Sequence, residues 1–314
     1  MVNDLTIPTR FIGCDVGKAQ IVVFDSASED VISLPNKAAP LAAFAATLDG
    51  NSLVICEATG GYEAVLLDAV VTAGRAVHRA DARKVKAFIR SFGTLGKNDA
   101  IDARALAQYG RERHDRLIRW SPRERSREQL HLLVTTRREM VQQRVACNNR
   151  LQAPRAAGVR DRLRRLLALL DAEIAGIEAD INALIHSHET LARANKVLRT
   201  IPGIGPVTAF QLIALMPELG TINRRQAAAL AGLAPHPRQS GSSEGYRRTR
   251  GGRPEIKQCL FMASMAAARK NPTIHAFYQR LIGNGKKPLV ALTAVMRKLI
   301  VIANARMRDI LHSN

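Results

Sequence analysis

The run Arg10-Phe11-Ile12-Gly13-Cys14-Asp15, followed by Val16-Gly17-Lys18-Ala19 and then Gln20-Ile21-Val22-Val23-Phe24-Asp25, decides how the first third of this chain folds. Both apolar runs are rich in β-branched and aromatic residues, and the four residues between them are of hairpin length. They therefore read as paired antiparallel strands. A third short run, residues 30–34, extends the pair into a meander. Outward from it, residues 41–48 read as a helix and Ser52-Leu53-Val54-Ile55-Cys56-Glu57 as a buried strand ending on an acid. Gly60-Gly61-Tyr62 opens a helix to about residue 73, residues 76–80 form a last short strand, and helices follow over 84–90 and 98–111.

Asp15 and Glu57 each close an apolar run, the place where an α/β sheet carries a site. In Lys97-Asn98-Asp99-Ala100-Ile101-Asp102-Ala103 a helix puts the two aspartates at i and i+3, about 60° apart on one face. Two such carboxylates repel each other, a cation between them offsets the cost, and oxygen-only donors suit Mg²⁺. The plainer alternatives are a solvated helical pair beside Lys97 and Arg104, a turn residue at Asp15 and a helix cap at Glu57. The order βββαβαβα, with acids after the first strand, after the fourth and on a late helix, is that of an RNase H-like sheet. The layout of Asp15, Glu57, Asp99 and Asp102 resembles the DEDD active site of RuvC-like nucleases. Such a set holds two Mg²⁺ about 4 Å apart, which clamp the attacking and leaving oxygens of an in-line phosphoryl transfer.

At 314 residues the chain is long enough for two domains, and 46% hydrophobic content supports packed cores. A formal charge of +20 points to a polyanionic partner, nucleic acid before an anionic membrane. Arg297 and Lys298 interrupt the long C-terminal apolar stretch and Arg269-Lys270 closes the one before it, so no bilayer-spanning segment is expected. The N-terminus lacks a signal-peptide pattern. Cys14, Cys56, Cys147 and Cys259 are scattered without CxxC pairing, which argues against zinc or a disulfide framework and for small core residues in a reduced, cytoplasmic protein.

Residues 111–165 hold sixteen arginines, no lysine and six acids. Beneath this charge Leu130, Leu133, Val134, Val141, Val145 and Leu151 keep helical spacing, and arginine over lysine favours bidentate phosphate contact. Pro154 and Gly158 break the pattern. Leu163, Leu167, Leu170, Ile174, Ile177, Ile181, Leu184, His188 and Leu191 then alternate steps of four and three, a heptad seam. It pairs with the preceding helix as an antiparallel hairpin, with a second copy, or with both, and His188 reads as a buried register-setter. Thr200-Ile201-Pro202-Gly203-Ile204-Gly205-Pro206 looks like a helix-hairpin-helix turn whose glycines let backbone approach a phosphate, or else an ordinary helix–helix turn. Residues 235–254, with Ser240, Ser242, Ser243 and several arginines, read as a flexible Ser/Gly linker. Helices near 256–269, 274–282 and 289–311 close the chain.

Asp15-Val16-Gly17-Lys18, Glu57-Ala58-Thr59-Gly60-Gly61-Tyr62, the Lys97–Ala103 run, Ile201-Pro202-Gly203-Ile204-Gly205, Ala231-Gly232-Leu233-Ala234-Pro235, Gln239-Ser240-Gly241 and Arg250-Gly251-Gly252-Arg253 together resemble the DEDD transposase family of bacterial insertion sequences, related to Piv-type DNA invertases. The resemblance implies an α/β plus all-α protein: an RNase H-like (RuvC-like) domain over 1–115, an arginine-rich helical coiled-coil segment over 116–195, and a helical C-terminal transposase domain over 196–314. It implies Mg²⁺ on Asp15, Glu57, Asp99 and Asp102, and a serine that attacks the DNA phosphate to give a phosphoserine intermediate. The family serine precedes a glycine and maps onto Ser240, with Ser242 and Ser243 as neighbours. Lys18, Lys97, Gly203, Gly205, Arg238, Arg247, Arg250 and Arg253 become candidate nucleic-acid contacts. The implied partners are donor and target DNA, a noncoding bridge RNA and further copies of the chain as a dimer or tetramer, without a membrane, in the bacterial cytoplasm and at the nucleoid when active. A hydrolytic RuvC-like nuclease using water on the same acids, and a non-enzymatic nucleic-acid-binding protein, are the rival classes.

Overall fold

The computed structural model describes residues 7–93, 98–122, 124–153, 157–240 and 243–311, with the side chains of 237–247 outside that description. The chain divides into two compact units, Met1–Pro122 and Arg123–Asn314.

In the first unit β1 (Arg10–Val16), β2 (Gln20–Asp25) and β3 (Val31–Pro35) form the antiparallel meander, while β4 (Ser52–Glu57) and β5 (Ala76–Ala80) add in parallel to give the sheet order β3-β2-β1-β4-β5. The apolar runs of β1 and β4 are nearly continuous because both faces are covered. Side chains alternate between two cores. Ile12, Cys14, Val54 and Cys56 face α1 (Ala38–Ala46) and α2 (Ala64–Thr72), through Leu41, Ala45, Leu66 and Val70. Phe11, Leu53 and Ile55 face α3 (Ala82–Ser91) and α4 (Asp99–Arg113), through Val85, Phe88, Leu106 and Tyr109. The edge of β5 is covered where Trp120 N–H donates to Val77 O at 2.7 Å. Gly60-Gly61-Tyr62 is a loop and does not open a helix: α2 begins at Ala64.

The second unit begins with α5 (Arg125–Leu151) and α6 (Arg160–Ser187). Arg137 pairs with Glu178 at 2.7 Å, Arg144 with Asp171, and Cys147 Sγ lies 3.5 Å from Leu163 O. As one partner's number rises the other's falls, so the two helices form an antiparallel hairpin. Its root is buried through Leu130, Val134, Ile181, Leu184 and Ile185 in one core shared with α7 (Glu189–Arg199), α8 (Pro206–Leu215), α10 (Pro254–Lys270), α11 (Pro272–Gly283) and α12 (Pro288–Leu311). Among the described residues α12 is the one helix long and apolar enough by length and composition to cross a bilayer, so Arg297 and Lys298 do not disqualify it. Its apolar face, Ala291, Val295, Leu299, Ile300 and Ala303, is part of the protein core.

Two expectations for the hairpin are corrected. Val145, placed beneath the charged face, is 50% exposed; Cys147 takes the inward position instead. The heptad seam also stops short of His188. That residue is extended (φ −124°, ψ 113°) between α6 and α7, and its Nδ1 lies 3.1 Å from Leu184 O, so it terminates a helix instead of setting a register. A seam needs a continuous helix, and the chain turns there to bury Leu191 and Leu198 in the shared core.

Candidate functional site

α4 is seated on the sheet by small residues. A Cβ built on Gly13 would lie 1.9 Å from Ala103 O and 2.6 Å from Ala107 N, and one built on Gly110 would lie 2.3 Å from Ile55 Cδ1. The helix backbone therefore touches β1 directly, running antiparallel to it: Ala103 sits over Gly13 while Gly110 reaches Phe11 and Ile55. That polarity brings the first turn of α4 to the Asp15 end of β1. Cys14 pairs with Cys56, so Asp15 and Glu57 come next on adjacent parallel strands, and strand alternation turns both toward the α4 face, with Gly13 and Ile55. Asn98 caps α4, its Oδ1 accepting from Ile101 N–H at 2.7 Å, and the acids of the first turn suit the positive end of the helix dipole.

Asp15, Glu57 and Asp102 are half-buried, while Asp99 is exposed at the first position of the helix. Burial pushes the Glu57 carboxyl above its ordinary range; Lys86 opposes this, and the negative charges of Asp15, Asp102 and Asp81 add to it. Three sequence-predicted acids thus act on one locus, with Asp99 one turn outward. Lys86 and Asp81 were missed by sequence reasoning, since α3 carries no motif around them. Among the described residues no three potential ligands stand close enough as placed to hold a metal ion. The donor chemistry nevertheless fits a hard divalent cation, because every candidate ligand is a carboxylate and a cation would offset the like charges that add to the effect of burial at Glu57.

The loop after Glu57 is held by a residue absent from the sequence reading. Glu63 is 2% exposed; its Oε2 accepts the N–H groups of Thr59 (3.0 Å) and Gly61 (2.9 Å), and its Oε1 meets Arg79 at 2.6 Å. Burial by itself would raise this carboxyl, but the backbone N–H donors, its own among them, and Arg79 together hold it below its ordinary range. A glutamate two residues after Thr59-Gly60-Gly61 was the available signal. Lys18 is exposed in the turn between β1 and β2, and Lys97 lies outside the described residues.

In the second unit the Ser/Gly stretch is not a linker. It forms an antiparallel hairpin of β6 (Pro235–Ser240) and β7 (Ser243–Thr249), with Ser240 paired to Ser243. The signal was Gly241-Ser242, a two-residue hairpin dipeptide, though these residues themselves lie outside the described set. The side chains of Ser240, Ser243, Arg238 and Arg247 also lie outside it, as does Ser242. The base of the hairpin is built by two glycine segments packed backbone to backbone. A Cβ on Gly252 would lie 2.1 Å from Gly232 N, and one on Gly232 would lie 2.4 Å from Gly251 O. These follow α9 (Arg224–Leu230) and precede α10.

Two candidate nucleic-acid contacts also have roles within the fold. Arg253 donates to Leu215 O at 2.7 Å and pairs with both carboxylate oxygens of Glu218 at 2.8 and 2.5 Å. Gly203, at φ +101°, makes a close approach to α10: a Cβ there would lie 2.6 Å from Ala267 Cβ and 2.8 Å from Ala263 O, so packing requires a glycine here. Gly205 has open space around it at the start of α8, and Arg250 is exposed just beyond β7. All four cysteines are free and buried, as expected of core residues.

Two family models match the chain: a DEDD-type transposase model over residues 12–154, and one described as the transposase of the IS116/IS110/IS902 family over residues 195–279. Similar proteins include the pilin gene-inverting proteins of Moraxella lacunata and Moraxella bovis, each 28% identical over 260 residues, covering 82% of this chain and 80% of the relative. An uncharacterized 43.6 kDa protein of insertion element IS110 from Streptomyces coelicolor is 34% identical over 136 residues, 42% of this chain and 32% of the relative. The first model spans the acid-bearing sheet with α4 and the second the turn, the glycine clamp and the β6–β7 hairpin, in that order, so the two models together support a DNA transposase similar to those of the IS116/IS110/IS902 family.

Proposed function

We propose that this transposase cuts and rejoins DNA by Mg²⁺-dependent phosphoryl transfer, through a phosphoserine intermediate formed on Ser240. In this reading the first unit is RNase H-like, and Asp15, Glu57, Asp102 and Asp99 hold the metal. The observation that carries the reading is the convergence of Asp15, Glu57 and Asp102, made possible by the direct contact of α4 with Gly13. Bound there, Mg²⁺ supplies Lewis acidity at the phosphoryl oxygens and lowers the proton affinity of a coordinated hydroxyl. The chain's own carboxylates orient the ion and balance its charge, while exposed cations such as Lys18 and Arg250 meet the phosphate backbone.

Rejoining, and not cutting alone, is supported by the likeness to proteins named for inverting a pilin gene, because an inverted segment must be resealed at both ends. A phosphoserine ester keeps the energy of the broken phosphodiester, so resealing needs no external energy source. Guidance by a noncoding bridge RNA, assembly as a dimer or tetramer, and action at the bacterial nucleoid complete the proposal. The hydrolytic alternative is favoured by one fact: the converging acids all belong to the first unit, a complete set for water as nucleophile.

The deciding experiment incubates protein, Mg²⁺, RNA transcribed from the element's flanks and end-labelled donor DNA, then separates products on a denaturing gel. A protein–DNA adduct in the wild type, lost in both Ser240→Ala and Asp102→Ala, is expected. Cleavage without adduct that survives Ser240→Ala, Ser242→Ala and Ser243→Ala would establish the hydrolytic nuclease.

A further inference from the structure

The adjacent strand ends that carry Asp15 and Glu57 bear like charges, which repel each other. On the Asp15 side the chain continues into the turn Gly17–Ala19, and on the Glu57 side into the loop Ala58–Tyr62. One side chain joins the two. Asn36, the first residue after β3, donates through Nδ2 to Gly17 O at 2.9 Å and to Tyr62 O at 2.9 Å. Its own N–H donates to Ala19 O at 2.9 Å, which anchors it to the turn through the backbone as well. Both side-chain partners are carbonyl oxygens, so only the NH₂ end of the amide can face them. The opposite end, Oδ1, is buried without a hydrogen-bond partner. An orphaned buried acceptor costs stability, and a hydroxyl or apolar residue at this position would avoid that cost. The arrangement is understandable if the two-headed donor is what the position is for. From the other side of the same loop, Glu63 fixes Thr59 and Gly61 and is itself held by Arg79.

We infer that Asn36 is a positioning residue, a cross-brace that ties the loops following the Asp15 and Glu57 strand ends to each other, with Glu63 as the inner support of the Glu57 loop. The inference rests on the proposal that these acids bind a divalent cation. The amide contacts no ligand; it limits how far two loops separate.

The test uses the full-length protein and Mn²⁺ as the probe, titrated by calorimetry and by the electron paramagnetic resonance of the free ion, for wild type, Asp102→Ala, Asn36→Ala and Asn36→Asp. Thermal melting of each metal-free protein controls for folding. Wild type should show a site that Asp102→Ala lacks, and both Asn36 variants should bind Mn²⁺ at least about tenfold more weakly, the size of effect seen for groups that orient metal ligands. Asn36→Asp is the sharper variant. An added negative charge by itself strengthens cation binding, so weaker binding there reports the lost brace, and amide hydrogen exchange should rise together in residues 17–19 and 58–62. If the Asp102-dependent site is present and the Asn36 variants bind as wild type does, the inference falls while the proposed function stands. If wild type shows no Asp102-dependent site, the proposed function falls and Asn36 has nothing to position.

Discussion

Both units match ion pairs, as Arg10 with Asp25 and Arg79 with Glu63 do in the first, but the first also gathers carboxylates at one end of its sheet. In the second, ion pairs are matched: Arg137 with Glu178, Arg144 with Asp171, Arg138 with Glu255 and Arg253 with Glu218. In the first, Glu57 has a raised proton affinity, caused first by burial and added to by the like charges of Asp15 and Asp102. Matched charge makes structure, and gathered like charge costs stability unless something from outside neutralises it. The contrast teaches where to look for chemistry in a chain of +20 charge: the arginines are numerous, several of them serve packing, and the three half-buried acids are the unusual feature.

The comparison breaks most completely at Gly13. Gly13→Val forces a side chain into the backbone of Ala103 and Ala107, which cannot yield without moving α4, and should cost at least about 3 kcal/mol and abolish the acid cluster. Gly110→Ala, whose clash is with the movable end of Ile55, should cost about 1 kcal/mol. Melting curves followed by circular dichroism separate the two, and similar losses would mean that α4 is less firmly seated than its contacts imply.

Next in size is the split between activity and stability at the acids. Glu57→Gln and Asp102→Ala should each lower strand transfer at least about 100-fold, or about 2.7 kcal/mol, while the metal-free protein melts no lower than wild type. The sign at Glu57 follows from its raised folded value. The folded carboxyl holds its proton more tightly than the unfolded one, so the metal-free wild type should lose stability as pH rises from the ordinary glutamate range through that raised value. Glu57→Gln should lack this loss, and melting temperature against pH without metal is the measurement. Identical profiles would mean that folding does not raise the proton affinity of this carboxyl.

Arg253→Ala should then destabilise by about 2 kcal/mol, because it strands Glu218 and Leu215 O, yet leave the salt dependence of DNA binding unchanged. Arg250→Ala should do the reverse, shifting stability by less than about 0.5 kcal/mol and reducing the salt slope by about 0.9 for a lost phosphate contact. Fluorescence anisotropy across a salt series reads both. The smallest effect should be Val145→Asp, within about 0.5 kcal/mol by melting, since that side chain already meets solvent.

Legibility differed with the kind of interaction involved. The strands, their meander and the acids at their ends were readable because β1 and β4 are short apolar runs with punctuated ends. The antiparallel hairpin of α5 and α6 was readable down to its turn, because period and breakers are local. Gly203 was visible as a special residue but not its packing against α10, and Arg253 was visible as a cation but not as half of a pair; in both cases the partner lies in a distant part of the chain. Asn36 carried no signal, since an isolated polar residue in a loop has no period.

The sequence by itself determined the element order of the first unit, the basic character and the four candidate carboxylates, because these depend on composition and on spacings of a few residues. Only the tertiary structure decided that Gly13 admits α4 to the sheet, that the charge of Asp102 reaches Glu57, that the serine segment is a hairpin clamped at Gly232 and Gly252, and which arginines are already paired. Each of these depends on which surfaces meet across long separations, and a contact of that kind leaves its reason in two places in the chain at once.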